Sequence, residues 1–387
     1  MQSRPRISGV TASIDFTMSP EYTEVQKEAP EPAYQLTVIT VCWNALEALK
    51  PSVASVLAQK AKGSISIEHL VVDGASTDGT PEWLAEQLAA GNIERYVSEP
   101  DRGIYDAMNK GINLARGRVL AFLNAGDTYT DEDLAPCVLP ICSGETESVA
   151  AGVAITPPQP NYTEYLPGYG AILLRTPCCH QSYFASSRMY RRLGGYNAEH
   201  YKCFADADFM VRLYRATGLP LVNVQLVANY EPCGFSNNAE TKFLDERLRF
   251  LNNNKALLEE RCAKDSAYCR IWQAQLAHMA TQLRDWQVRH GRMIPNELRI
   301  YAELCRRAAR HTRNLYAKAA LVFLSSAYAP HLAGCAAASR GMAAAMRFFV
   351  HACHVPEDNP YKNDFWLPLS PLSSHPLFRV FKGRRRG

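Results

Sequence analysis

Leu36–Cys42 reads LTVITVC, an apolar and β-branched run cut off by Trp43-Asn44, and its reading decides the fold. Seven such residues without polar alternation describe a strand covered on both faces, as in parallel sheets. Working outward, the unit repeats. The spacing predicts a helix over Leu46–Gln59 and a second buried strand, Ile67–Asp73 (IEHLVVD), ending in a Gly/Ser/Thr/Asp loop. Pro81–Ala90 is helical, with Pro81 suited to a first turn. Ile93–Ser98 reads as a third strand, Ile104–Ala115 as a helix and Val119–Leu123 as a fourth strand. Alternation of this kind makes an α/β domain, a mostly parallel sheet flanked by helices. Its ligand crevice lies beyond the carboxyl ends of the strands.

That rule places the polar residues of interest. Trp43-Asn44, Gly74-Ala75-Ser76-Thr77-Asp78, Glu99-Pro100-Asp101-Arg102 and Asn124-Ala125-Gly126-Asp127 each follow a strand end. Farther on, Val149–Thr156, Ala171–Leu174 and His180–Ser187 read as strands, and Pro157–Gly170 as a loop. Phe204–Thr217 reads as a helix and Leu221–Val227 as the last strand. Past Gly234 the apolar spacing becomes helical over Glu240–His290 and Pro295–Ala329, and Ala333–His354 is Ala-rich. Four regions follow: a disordered leader (1–33), the α/β domain (34–235), a helical extension (236–354) and a proline-rich basic tail (355–387).

The 387 residues carry 42 basic and 38 acidic side chains, a net of +4 that conceals a split. Residues 1–239 hold 18 Lys/Arg against 26 Asp/Glu, whereas residues 240–387 hold 24 against 12. The two parts therefore face different partners. Twelve cysteines are scattered without a CxxC pair, which argues for reduced thiols rather than structural zinc. No signal peptide is visible, and the longest apolar stretch, Ala319–Ala338, is interrupted by Pro330 and His331, so no transmembrane helix is expected. The basic excess lacks a nucleic-acid motif, and nucleic acid is not an expected partner. It is read either as a solvated helix face or as a contact with an anionic membrane. In the second case Arg306, Arg307, Arg310, Arg313 and Lys318 flank Leu321–Leu324.

The carboxylates carry the chemistry. Asp73, at a strand end, can accept from a ribose hydroxyl or a base N–H, while Asp78 reads as a cap for the next helix. Asp127 can bind Mg²⁺ or Mn²⁺ beside a diphosphate, or it can cap a helix near Asp131, for which Thr130 competes. Asp206 and Asp208 open a helix, where the dipole favours them; one of them can equally serve as a general base. His180-Gln181 can hydrogen-bond a sugar or a phosphate.

Residues Gln35 to Gly234 resemble the family 2 inverting glycosyltransferases of GT-A fold, a Rossmann-like sheet. The carriers are VITVCWN (38–44), VVDGASTDGT (71–80), SEPDRGIYDAMNKG (98–111), FLNAGD (122–127), Gly194-Gly195-Tyr196 and Ala205-Asp206-Ala207-Asp208. The 98–111 stretch is typical of a bacterial subgroup that assembles surface polysaccharides.

The resemblance implies transfer from a nucleotide-sugar donor, mostly UDP-linked, to a hydroxyl of a glycan or lipid-linked glycan. It implies an enzyme on the cytoplasmic side, peripheral to the inner face of the membrane. On that basis Thr40, Val41, Trp43, Asn44 and Asp73 hold the nucleotide, with Arg102, Asp106 and Lys110 near it. Asn124 to Asp127 stands in for the acidic metal motif, with Asp127 as ligand. Asp206 matches the base and Asp208 its acidic neighbour; His180, Gln181 and Asp208 are candidates for acceptor or diphosphate contacts. Two departures stand out. Asn124 and Gly126 replace acidic residues, and Ala205 precedes Asp206 where many relatives carry Glu. The first departure favours another reading, an inactive sugar-nucleotide-binding scaffold; a nucleotidyltransferase of similar sheet architecture is a further alternative, against which the Asp206 region argues.

Overall fold

The computed structural model describes residues 32–155, 164–165, 172–174, 176–230, 244–273, 275–276, 279, 295–311 and 318. The leader (apart from its last two residues), the basic tail, Arg313, Leu321–Leu324 and the Ala-rich stretch lie outside them. The α/β elements are β1 (Tyr34–Cys42), α1 (Leu46–Ala61), β2 (Ile67–Asp73), α2 (Thr80–Ala89), β3 (Arg95–Ser98), α3 (Ile104–Leu114) and β4 (Gly117–Phe122). After them come β5 (Thr128–Tyr129), α4 (Ala135–Cys142), β6 (Ser148–Ile155), β7 (Glu164–Tyr165), β8 (Tyr183–Ser186), α5 (Ser187–Arg192), α6 (Ala205–Thr217) and β9 (Leu221–Tyr230). Three further helices are α7 (Leu244–Asn253), α8 (Lys255–Lys264) and α9 (Pro295–His311).

The described strands form one sheet in the order β3-β2-β1-β4-β8-β6-β9-β5, with β7 also on β6. Where strand and helix alternate, β3, β2, β1 and β4 are parallel. Beyond β4 the sheet is mixed, because β8 runs antiparallel to both β4 and β6, whereas β9 is parallel to β6. Parallel neighbours need a crossover helix, and the chain supplies one after each of the first three strands.

Burial on both faces of β1 explains its unbroken apolar run. Ile39 and Val41 pack with Met108 and Ile112 of α3, while Leu36 and Val38 pack with Cys137, Val138 and Ile141 of α4. Each such side chain contributes about 1.5–3 kcal/mol when fully buried. The cluster holding Ile39 does not stop at the sheet. It runs through Phe209 and Met210 of α6 into Leu248 and Leu251 of α7, Leu258 of α8, and Tyr301 and Cys305 of α9. The apolar stripe of α9 is thus turned inward, with Arg306 and Arg310 exposed on its outer side.

Three local expectations are corrected. Residues 172–174 are a lone bridge and a turn, with Leu173 left-handed at φ 72°, rather than a strand. His180–Ser182 forms a 3-10 turn, so only Tyr183–Ser186 is strand. No helix starts at Asp131; Asp133 Oδ1 accepts from Ala135 N (2.9 Å) at the start of α4, whose two prolines hide it from a propensity reading.

Candidate active site

The register aligns Cys42, Asp73 and Ser98 across three parallel strands, so their side chains converge at the crevice floor. Asp73 is fully enclosed. Its Oδ2 accepts from Ser76 N (3.0 Å) and Ser98 Oγ (2.6 Å), and its Oδ1 accepts from Ser76 Oγ and lies 3.6 Å from Cys42 Sγ. Both oxygens therefore organise the 74–78 loop, which leaves the carboxylate no face for a ligand. Across from it, Asn44 is held left-handed at φ 46°. It donates N–H to Ser76 Oγ (2.7 Å) and accepts from Thr77 N (2.8 Å). Asp78 is a cap, as expected, accepting from Leu46 N (3.0 Å) and from the hydroxyl and N–H of Thr80. The Thr80 hydroxyl and then the Leu46 N–H hold its carboxyl below the usual range.

Trp43 is 68% exposed, an indole face open to the crevice rim. Beside it Gly74 permits a close approach: a Cβ there would lie 2.6 Å from Asp101 Oδ2 and 3.3 Å from Trp43 Cδ1. Asp101 thus joins the Trp43 surface; the sequence placed it after a strand end without giving it a role of its own. Thr40 and Val41 do not reach the rim. The Thr40 hydroxyl meets His69 Nε2 at 2.9 Å inside the core, and Val41 is buried in the cluster with Ile39. Strand position explains this, since both precede the strand end.

The basic residues of the 98–111 stretch divide. Lys110 Nζ donates to Pro100 O (2.6 Å) and pairs with Glu99 (2.9 Å), fixing the turn before α3. Asp106 accepts from Arg102 N (3.0 Å), a bond that lowers its pKa, and also pairs with the exposed Arg102 guanidinium at 3.2 Å. Asp106 and Lys110 are therefore scaffold, and Arg102 remains a cation at the surface.

At the end of β4, Gly126 has φ 101°, a backbone that side-chain-bearing residues rarely adopt. Its N–H goes to Ala48 O and Ser52 Oγ, and Ser52 Oγ in turn donates to Asp127 O (2.7 Å). Asp127 is nearly buried, and its Oδ2 accepts from Gln181 Nε2 (2.8 Å). Among the described residues no three His, Cys, Asp or Glu side chains converge on a metal position. One carboxylate suits a Mg²⁺-type ion that brings most of its oxygen ligands with a diphosphate, rather than one caged by protein.

The opposite wall carries Asp206, at the start of α6 and 16% exposed in its side chain. Its Oδ1 accepts from Tyr105 Oη (3.0 Å) and Ala207 N (2.8 Å). Among the described residues, its Oδ2 faces His180 Nδ1, at 3.6 Å. Burial, and then the Asp206 charge, keeps the Tyr105 phenol protonated and so a donor. The His180 ring continues to Asn124 Nδ2 (3.0 Å). Asp208 points elsewhere, because helix residues two apart do not share a face. Its Oδ2 takes Arg212 Nε (2.7 Å), whose other nitrogens hold Leu193 O and Gly195 O.

Gly195 sits in that loop at φ 67°, where a Cβ would strike Asn109 Oδ1 at 2.5 Å. Asn109 grips Tyr196 through both backbone groups, at 2.8 Å each. Tyr196 then packs on Tyr105 with ring centroids 5.3 Å apart. Tyr105 and Asn109 lie inside the quoted stretch. They stood out only once α3 was placed against α6.

Known proteins resemble the chain in sequence and in fold. The profile described as Glycosyl transferase family 2 matches residues 37–205. An uncharacterized glycosyltransferase of Mycobacterium tuberculosis is 31% identical over 188 residues, which are 46% of this chain and 68% of that protein. A PGL/p-HBAD biosynthesis glycosyltransferase of Mycobacterium bovis is 34% identical over 191 residues, 47% of this chain and 72% of that one. In fold, S. aureus TarS, crystallised with UDP, aligns with a TM-score of 0.51 at 15% identity, covering 82% of this chain and 90% of its own. With that sheet, that crevice and relatives matched over most of their length, the chain belongs to glycosyl transferase family 2.

Proposed function

We propose that this glycosyltransferase moves a sugar from a UDP-linked donor to an acceptor hydroxyl with inversion, Asp206 acting as general base. The observation that carries the reading is the asymmetry of Asp206. Oδ1 is tied by Tyr105 and Ala207, whereas Oδ2 has His180 Nδ1 at 3.6 Å, beyond hydrogen-bond distance. A carboxylate held by one oxygen and open at the other suits proton abstraction from an entering hydroxyl. A single base fits one in-line displacement at the anomeric carbon.

On the donor side, Trp43 offers a face for base stacking, Asn44 and Asp73 hold the loop beneath it, and Arg102 supplies charge toward the diphosphate. Binding of UDP by TarS, of the same fold, supports the choice of nucleotide. A Mg²⁺ or Mn²⁺ ion would sit at Asp127 together with diphosphate oxygens and would add charge stabilisation for the leaving group. Asn124 borders that position.

The acceptor is read as a glycan or lipid-linked glycan of the cell envelope, in exopolysaccharide, capsule or lipopolysaccharide assembly. The biosynthetic name of the M. bovis relative favours this class. Among the described residues no helix is long and apolar enough to cross a membrane. A cytoplasmic enzyme would then meet a lipid-linked acceptor peripherally, through the outer basic side of α9 and the chain after it. Flotation of the full chain with anionic liposomes tests that contact; failure to float rejects it.

The central test is Asp206→Asn. Nucleoside diphosphate release from a panel of UDP- and GDP-sugars should vanish, while UDP still raises the melting temperature, with and without Mn²⁺. Wild-type turnover in the variant removes Asp206 from the base position. Binding without turnover in the wild type favours the inactive scaffold.

A further inference from the structure

Four residues from four separate elements form one line across the crevice: Asn124 after β4, His180 in the 3-10 turn, Asp206 on α6 and Tyr105 on α3. The contacts are Asn124 Nδ2 to His180 Nε2 at 3.0 Å, His180 Nδ1 to Asp206 Oδ2 at 3.6 Å, and Tyr105 Oη to Asp206 Oδ1 at 3.0 Å. The amide at 124 sets the sense of the line. Its nitrogen faces the imidazole, and its oxygen is buried without a hydrogen-bond partner. In this orientation the amide N–H donates to a bare Nε2, whereas turned over it would offer the now unpartnered Oδ1 to an Nε2–H. In a neutral ring the proton then sits on Nδ1, the nitrogen that faces Asp206.

We infer that His180 is a positioning residue, held by Asn124 in the Nδ1–H tautomer so that its N–H steers Oδ2 of Asp206. This rests on Asp206 being the base, and it assigns His180 a task other than binding acceptor or phosphate. Three observations support it. Oδ1 already has two donors, so Tyr105 and Ala207 fix the carboxylate at one end only. Rotation about that anchored end is left to whatever meets Oδ2, and His180 is the side chain in reach. The separation of 3.6 Å is longer than a formed hydrogen bond, which leaves Oδ2 unsaturated with Nδ1 beside it. The same line gives the asparagine at 124 a physical reason. An aspartate there would accept from an Nε2–H and so remove the hold on a bare Nε2 that the asparagine N–H provides.

The first experiment reads the tautomer with no substrate present. In the full chain with ¹⁵N-labelled histidine at pH 7.5, His180, assigned from its loss in His180→Phe, should show a protonated Nδ1 and a bare Nε2. In Asn124→Asp the proton should move to Nε2. An Nε2–H or doubly protonated ring in the wild type overturns the inference, as does a ring unchanged by Asn124→Asp. The second experiment measures UDP release from the best UDP-sugar of the panel. His180→Phe should lower kcat about 30-fold with KM within twofold, a loss typical of an orienting partner. His180→Asn places an N–H where Nδ1 stood and should recover kcat to within about threefold of wild type. Equal losses in the two variants, or a change confined to KM, refute positioning. If the tautomer is as stated but wild type and variants all fail to release UDP, the base reading falls and the geometry of the line stands.

Discussion

The carboxylate of Glu246, on α7, accepts the backbone N–H groups of Lys202 (2.8 Å) and Cys203 (2.9 Å), three residues before Asp206. A helix outside the matched segment 37–205 thereby fixes the chain that leads into Asp206. Glu246 is buried, and bonds to a buried ionised group contribute about 1.5–3 kcal/mol. Glu246→Gln keeps one acceptor oxygen and loses the charge. Urea unfolding should show about 1–2 kcal/mol less stability, with kcat falling as the 201–206 segment loosens. An unchanged unfolding midpoint would detach α7 from the site.

Asp206 and Asp208 should separate cleanly in measurement. Asp206→Asn keeps the Tyr105 contact and should leave the melting temperature near wild type while turnover disappears. Asp208→Ala strands Arg212 and frees the loop at Leu193 and Gly195, which costs about 2 kcal/mol for a partly buried pair. Its residual activity should follow the fraction folded. If Asp208→Ala lost activity at full stability, the assignment of Asp208 to scaffold would fail.

Trp43→Ala removes an exposed face and should not alter stability. If the base stacks there, UDP binding weakens about tenfold, within the range for loss of an aromatic–base contact. Isothermal titration with UDP checks this, and an unaltered affinity places the base elsewhere.

His69 gives the fold a pH response unrelated to catalysis. It is wholly buried with only Nε2 partnered, and burial, aided by the Lys60 charge, lowers its pKa from 6.5 to about 3. The unfolded chain therefore binds a proton that the folded chain refuses. The resulting stability is complete above pH 6.5 and is lost progressively as pH falls toward 3. Between pH 7 and 5.5 the wild type should lose about 1 kcal/mol more than His69→Val, as measured by urea unfolding. Parallel pH slopes for the two would show that His69 titrates normally.

The parallel half of the sheet was legible because both signals were local: unbroken apolar runs for strands, and turn residues at their ends. The mixed half was not. β8 and β6 pair antiparallel through contacts far apart in sequence, and the prolines of α4 mask a helix that tertiary packing supports. Within the site, the capping role of Asp78 was readable because it sits where its type has a local purpose. Asp73 misled. A carboxylate at a strand end looks like a ligand group until Ser76 and Ser98 are seen to occupy it. The line through Asn124, His180, Asp206 and Tyr105 joins residues up to 101 positions apart, and no spacing rule announces it.

Gly126 bears on how the acidic motif could return. With φ at 101° and its N–H committed to Ala48 and Ser52, position 126 accommodates an aspartate poorly before any ion is considered. Gly126→Asp would thus meet a backbone obstacle ahead of any chemical benefit. A tighter metal site at this position needs the turn rebuilt, not one side chain exchanged.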